Sequence, residues 1–360
     1  MLPLARIGVL TGGGDAPGLN AVIRAVVKTA SNSGIECLGI EDSFDGLLEL
    51  ERCRTMKPSD VRGIMRLGGT VLGTVNTGND FSGMVDTSEG PRPYADRCLD
   101  VFRRLGLGAL IVIGGDGTLA IAQQFAERGL PIVGVPKTID NDIVGTTNCF
   151  GFDSAVAFAT DAIDRLHTTA EAHRRIIVVE VMGRYTGWIA LHAGVAGGAD
   201  AILIPEVPFD LQAVAAKLRE RDQWGARFSI VVVAEGAYPA GGTLSLLEKG
   251  SGGHVERLGG IAARVSAELG MLTGKETRHV VLGHLQRGGA PTSFDRVLAT
   301  RFGAKAVELV KQGAFGAMVA FAPPDIVARP LIEVVGKTKT VPRDCDLLLA
   351  ARALGVALGD

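Results

Sequence analysis

The sequence predicts an α/β fold in which mostly parallel sheets are covered by helices on both faces. Short apolar, β-branched runs recur along the chain, at residues 7–10, 37–40, 110–113, 132–135, 176–179, 201–204, 230–233 and 280–282. They are continuous rather than alternating, as buried parallel strands are, and helix-length segments separate them. The chain also carries 49 glycines while aromatic residues make up only 5% of it, which suits many tight strand-to-helix turns.

Taken in order, residues 7–10 run into the loop Thr11-Gly12-Gly13-Gly14-Asp15-Ala16-Pro17-Gly18, which opens a helix expected from about residue 17 to 31. Pro17 fits the first turn of that helix, where its missing N–H costs nothing. Residues 37–40 form the next strand. Residues 110–113 lead into Gly114-Gly115-Asp116-Gly117-Thr118, and 132–135 into Pro136-Lys137-Thr138-Ile139-Asp140-Asn141-Asp142. Further on, Met182-Gly183-Arg184, Glu235 and Gly283-His284-Leu285-Gln286-Arg287 follow three more strands. Ligands of such folds bind beyond the carboxyl ends of the strands, where every one of these loops sits. The Gly- and Ser-rich segment 241–253 reads as a solvent loop, and no internal repeat is evident.

Length and composition narrow the function classes. The 360 residues allow one large or two medium domains with a substantial core. Hydrophobic residues make up 47% and charged residues 21%, ordinary values for a soluble globular protein. A net charge of −2 offers no electrostatic footprint for nucleic acid or an anionic membrane, so any phosphate must be held by local basic groups. The five cysteines are dispersed and lack CxxC spacing, which argues against a disulfide framework and for a reducing cytoplasm. No signal-peptide pattern opens the sequence, and no apolar run approaches the roughly 20 residues that span a bilayer.

Two loops carry most of the chemistry. Gly114 to Thr118 can bring bare backbone close to phosphates, and Asp116 offers a carboxylate for Mg²⁺, or else merely caps a helix. The 136–142 loop adds the cation of Lys137 and the carboxylates of Asp140 and Asp142. Those two have the same parity and face one side of an extended chain, a pattern suited to proton transfer or to a plain Asp/Asn turn. The 11–18 loop repeats the phosphate logic with Gly14 and a helix N-terminus, or is a tight turn without a ligand. Arg174 and Arg175 read as a possible solvated face, less so Arg184 and Arg287, which lie in glycine-flanked loops.

These segments in this order, GGDAPGLN, GGTVLGT, GGDGT, PKTIDND, VVEVMGRYTGW and LGHLQRGG, resemble the 6-phosphofructokinase family over roughly residues 7–304. The stretch 329–360 is more similar to the mixed-donor branch that includes pyrophosphate-dependent members. The resemblance implies two three-layer α/β domains, 1–151 with 286–336 and 152–285 with 337–360, binding donor and sugar respectively. It implies glycolytic transfer of the γ-phosphoryl group of ATP to the 1-hydroxyl of fructose 6-phosphate. Asp140 would be the general base and Asp116 the Mg²⁺ ligand, with Gly14, Asn76, Gly115, Gly117 and Thr118 at the donor. Thr138, Met182, Gly183, Arg184 and Glu235 would line the sugar, with Arg175, Arg278, His284 and Arg287 at the remaining sugar-phosphate positions. In the family the counterparts of Arg175 and Arg278 reach across from a neighbouring subunit, which implies a homo-oligomer, commonly a tetramer.

Three departures from the family pattern stand out. Asn76 replaces an arginine that many members use to bridge the donor phosphates, which makes Lys137 the candidate replacement cation. His167 stands at an arginine of the bacterial effector site, whereas Arg24 and Lys28 keep basic character at two others. The donor signature is mixed: pyrophosphate-dependent relatives usually carry Asp at the Gly117 position, but Lys137 is typical of them. A blocking group excludes more than a permissive one admits, so Gly117 favours ATP. Pyrophosphate as donor and sedoheptulose 7-phosphate as acceptor are the alternatives. A catalytically weak regulatory subunit is the reading from another class, suggested by Asn76 alone.

Overall fold

The computed structural model describes residues 4–75, 81–87, 90–248 and 257–360. Asn76 lies outside the described residues, as does most of the glycine-rich stretch beyond 248. The chain forms two compact units, one from residues 1–138, 143–153 and 287–338, the other from 139–142, 154–286 and 339–360. The expected breaks after 151, 285 and 336 did not include the four residues 139–142, which pack with the second unit.

The first unit holds an eight-stranded sheet. Its central strands Glu36–Ile40, Arg6–Gly12, Ala109–Gly114, Ile132–Thr138 and Ala317–Ala322 lie side by side in that order and run parallel. Cys53–Met56 and Asp325–Pro330 close the two edges in antiparallel fashion, and the short strand Phe150–Gly151 pairs with Ile132–Thr138. None of Cys53–Met56, Ala317–Ala322 or Asp325–Pro330 was expected from the sequence. Cys53–Met56 is half open to solvent and lacks the continuous apolar signature of a central strand.

Period-two alternation sorts the central strands into two cores. Ile111, Ile113, Val133 and Val135 face the helices Leu19–Asn32 and Ser293–Gln312. Leu110, Val112 and Ile132 face Tyr94–Arg104 and Asp116–Glu127. The result is a helix–sheet–helix sandwich with a continuous apolar layer on each face.

The second unit has a four-stranded parallel sheet in the order Ala201–Leu203, Ser229–Ala234, Ile176–Val181 and Thr277–Val281. Helices Trp188–Ala196, Leu211–Gln223 and Ile261–Thr273 belong to it. Part of the expected solvent loop forms the strand Leu246–Glu248, paired antiparallel with Arg257–Leu258. Among the described residues no helix is long and apolar enough to cross a membrane.

One local expectation is corrected. The first helix begins at Leu19, not Pro17, because Gly18 adopts a left-handed conformation with φ 110 and closes a turn that contains Pro17. The glycine, free of a Cβ penalty, sets the boundary, and the proline shapes the approach to it.

Candidate active site

In the first unit, parallel pairing aligns the loops of interest. Gly12 stands opposite Gly114, and Gly114 opposite Pro136, so the chain leaves three neighbouring strands at one edge. Thr118 sits beneath this edge: a Cβ built on Gly12 would come within 2.6 Å of its Cγ2, and one on Gly114 within 2.4 Å of its Cβ. These two glycines are therefore required by packing as well as by any ligand. Asp116 opens the helix that follows and is exposed, its Oδ1 accepting a hydrogen bond of 3.4 Å from the Gly336 N–H. Gly117 is exposed in the same first turn, and a Cβ there would meet nothing within 4 Å.

Lys137 is buried at the end of its strand and donates from Nζ to the carbonyl oxygen of Gly14. The cation thus faces the first glycine loop. Arg287 faces it too, with Nη1 donating to the Asp15 carbonyl at 3.1 Å and lying 2.8 Å from where a Gly14 Cβ would be. The resemblance groups Arg287 with the sugar-phosphate residues; in this fold its guanidinium also reaches the Gly14–Asp15 loop.

Two further residues organise this edge without having been singled out. Asn20 is buried and accepts from the Val71 N–H at 2.9 Å while donating to the Leu67 and Gly68 carbonyls at 3.2 and 3.1 Å. It ties the GGTVLGT segment to the first helix. Thr11 Oγ1 donates to the Gly73 carbonyl at 2.6 Å and holds the far end of the same segment.

In the second unit, Ile176–Val181 and Ser229–Ala234 end together, Val181 opposite Ala234. Met182 is buried just beyond Val181, and Gly183 and Arg184 turn with φ 146 and φ 49. Glu235 Oε1 accepts from the Arg184 N–H at 3.0 Å, so the two loops are joined by a carboxylate–amide bond. Gly236 allows that approach, because a Cβ there would lie 1.9 Å from the Arg184 carbonyl oxygen. The Arg184 side chain is exposed, its guanidinium carbon 5.6 Å from the centre of the Tyr185 ring.

Thr138 and Asp140 are both buried. Thr186 Oγ1 lies 3.3 Å from the Asp140 carbonyl and 3.1 Å from that of Gly183, so it connects the Asp140 segment to the Arg184 turn. Asn141 takes φ 53, and Asp142 is half-buried after it. On the other side of this sheet, Glu276 bridges two arginines, Arg175 at 3.1 Å and Arg278 at 2.5 Å. His284 is exposed in the helical turn Gly283–Arg287. Glu180, inside the VVEVMGR motif, is buried and accepts from the Ala262 N–H at 2.9 Å and the Gly260 N–H at 3.3 Å. It is therefore a support for the helix Ile261–Thr273, and a carboxylate there also favours the helix N-terminus.

The donor set suits a magnesium ion better than a metal that needs a protein cage. Among the described residues no three His, Cys, Asp or Glu side chains cluster. Asp116 offers one hard carboxylate, and Mg²⁺ is commonly held by one or two carboxylates with its remaining positions on substrate phosphates and water.

The fold and its loops define an α/β protein with glycine-rich and acidic turns at the carboxyl ends of two parallel sheets. The family model for phosphofructokinase matches residues 6–310, and the chain belongs to that family. An ATP-dependent 6-phosphofructokinase of Chloroflexus aurantiacus is 55% identical over 99% of this chain and 98% of its own. A pyrophosphate–fructose 6-phosphate 1-phosphotransferase of Amycolatopsis mediterranei is 50% identical over 94% of this chain and 96% of its own. The solved phosphofructokinase of Saccharomyces cerevisiae superposes with a TM-score of 0.79 at 32% identity, covering 91% of this chain but only 45% of the yeast chain.

Proposed function

We propose that this chain is an ATP-dependent 6-phosphofructokinase, which phosphorylates the 1-hydroxyl of fructose 6-phosphate. Family membership and the full-length Chloroflexus relative support the activity. The observation that carries the choice of donor is the open space at Gly117. A side chain there, above all a carboxylate, would project from the helix turn that the donor phosphates approach, and glycine leaves that space clear.

In this reading Asp140 takes the proton of the 1-hydroxyl as that oxygen bonds to the γ-phosphorus. The bond from the γ-phosphorus to the β–γ bridging oxygen breaks, and ADP leaves. Asp142 flanks the base. Lys137 supplies the positive charge that the Asn76 position does not, and stabilises charge spread over the transferred group. Asp116 would hold Mg²⁺ together with the donor phosphates, and the ion would supply positive charge against the leaving diphosphate. Gly14, Gly115, Gly117 and Thr118 present backbone to the donor. Thr138, Met182, Gly183, Arg184 and Glu235 orient the sugar, and Arg175, Arg278, His284 and Arg287 hold its phosphate. The shared carboxylate of Glu276 keeps Arg175 and Arg278 side by side, and both are assigned to a neighbouring subunit's sugar in a homotetramer. All five cysteines are free thiols, in keeping with a cytoplasmic enzyme.

Lys137 and the Amycolatopsis relative favour a second reading, pyrophosphate as the donor. Steady-state turnover with ATP and with pyrophosphate, each against fructose 6-phosphate and sedoheptulose 7-phosphate, separates the readings. Higher kcat/KM with ATP is expected. Preference for pyrophosphate would overturn the donor assignment, and absence of turnover with either would favour a regulatory subunit.

A further inference from the structure

We infer that Lys339 is a positioning residue for Asp140, acting through a C-terminal strap that grips the acidic loop from residues nearly 200 positions away. The inference rests on the proposed role of Asp140 as the base. Within the second unit, the Lys339 N–H donates to the Asp142 carbonyl at 2.7 Å, and Lys339 Nζ donates to Asn141 Oδ1 at 3.0 Å. The Lys339 carbonyl in turn accepts from Trp188 Nε1 at 2.7 Å, and Nζ lies 5.6 Å from the Trp188 ring centre. The same lysine therefore holds the two residues after Asp140 and is itself held by the helix that begins at Trp188.

The strap is anchored further along. Val341 donates its N–H to Glu206 Oε1 at 2.8 Å, and Arg343 Nε donates to the Glu206 carbonyl at 2.9 Å. Glu206 Oε1 also accepts from the Gly187 N–H at 3.1 Å, so strap and helix start share one carboxylate.

This arrangement answers a conformational cost. Asn141 has φ 53, a left-handed conformation that is uncommon outside glycine, although asparagine tolerates it better than most residues. A swing of this residue would move the peptide that carries the Asp140 carbonyl, whose oxygen is within 3.3 Å of Thr186 Oγ1. Proton transfer needs the carboxylate within hydrogen-bond reach of the acceptor hydroxyl, and a displacement of about 1 Å can cost on the order of 100-fold in rate. The ammonium on Asn141 Oδ1 is one side-chain contact that opposes the swing.

The test compares Lys339→Met, Lys339→Arg, Asn141→Ala and the double variant Lys339→Met/Asn141→Ala. Lys339→Met keeps the backbone bonds and the apolar stem but loses the contact with Asn141. Its kcat is expected to fall by roughly 10- to 100-fold while both KM values stay within about threefold. Lys339→Arg restores most of the rate, and the double variant is no slower than Asn141→Ala alone, because the lysine's contact with Asn141 is already lost there. Unfolding midpoints and calorimetric binding of ATP and fructose 6-phosphate show whether each variant is folded. Folded Lys339→Met with kcat within twofold of the parent overturns the inference, as does a rate loss shared equally by Lys339→Arg. If Lys339→Met does not fold, Lys339→Leu, which also lacks the ammonium, decides by the same kcat criterion. Asp140→Asn serves as the control: if it retains turnover the base assignment fails, whereas an inactive Asp140→Asn with normal Lys339→Met refutes the positioning role only.

Discussion

A Cβ built on Gly114 would fall 2.4 Å from the Cβ of Thr118, so the threonine occupies the space any larger residue at that strand end would need. Neither side can yield easily, since Thr118 is buried in the first turn of its helix and Gly114 is paired on both sides in the sheet. Gly114→Ala is therefore expected to lower stability by about 1–3 kcal/mol, the usual range for overpacking. Chemical denaturation of the purified variant measures it, and an unchanged midpoint would contradict the packing argument.

Gly117, three residues on, behaves oppositely. Because a Cβ there meets nothing within 4 Å, Gly117→Asp should fold with nearly the parental melting temperature. Its ATP turnover should nevertheless fall by at least about tenfold, as the new carboxylate repels the donor phosphates, while turnover with pyrophosphate suffers less. Parallel donor titrations check this, and equal losses with both donors would remove Gly117 as the selector.

Lys137 combines a buried position with a bond to the Gly14 carbonyl. Lys137→Met keeps the stem and removes the charge. A loss of about 10²–10³ in kcat is expected from deleting a transition-state cation. Single-turnover kinetics isolates the chemical step, and unchanged turnover would show that Lys137 is not the substitute cation.

Burial pushes the Glu206 carboxyl above its ordinary value of 4.5, against the opposing N–H bonds from Val341 and Gly187. The folded state thus holds this proton more tightly than the unfolded chain. The stability linked to it is present below pH 4.5 and is lost as pH rises through the raised value. Glu206→Gln stays uncharged and keeps an acceptor for both N–H groups. Its melting temperature should decline less than the parent's between pH 4.5 and neutrality, as a pH series by calorimetry reads directly. Parallel curves would refute the linkage.

Burial also pushes the Cys37 and Cys98 thiols up to about 12, which leaves both protonated at neutral pH. Cys345 is half-exposed. Alkylation at about pH 8 should mark Cys345 well before Cys37 or Cys98, which react only on unfolding, because the thiolate is the nucleophile. Mass spectrometry of a time course resolves the order.

Much of the first unit was legible because its central strands are buried on both faces and announce themselves as unbroken apolar runs, as Leu110-Ile111-Val112-Ile113 does. The edge strands Cys53–Met56 and Asp325–Pro330 carry no such signal, since an edge needs no apolar face toward solvent. The loops at the strand ends were legible too, because glycine and acid residues there answer to backbone geometry and chemistry together. The roles of Asn20, Thr186 and Lys339 were not: each is an ordinary polar residue whose meaning lies in a partner far along the chain.

By itself the sequence determined the α/β class, the family and the residue types offered at each loop, since those follow from local periodicity and from motifs read along the chain. Tertiary structure alone decided that Arg287 lies over Gly14 and Asp15, that Glu180 caps a helix, and that residues 139–142 pack with the second unit and its C-terminal strap. The physical reason is distance. Hydrogen bonds between groups separated by 51 and 272 residues form only once the sheets have fixed where the loops leave them, and no local pattern encodes that placement.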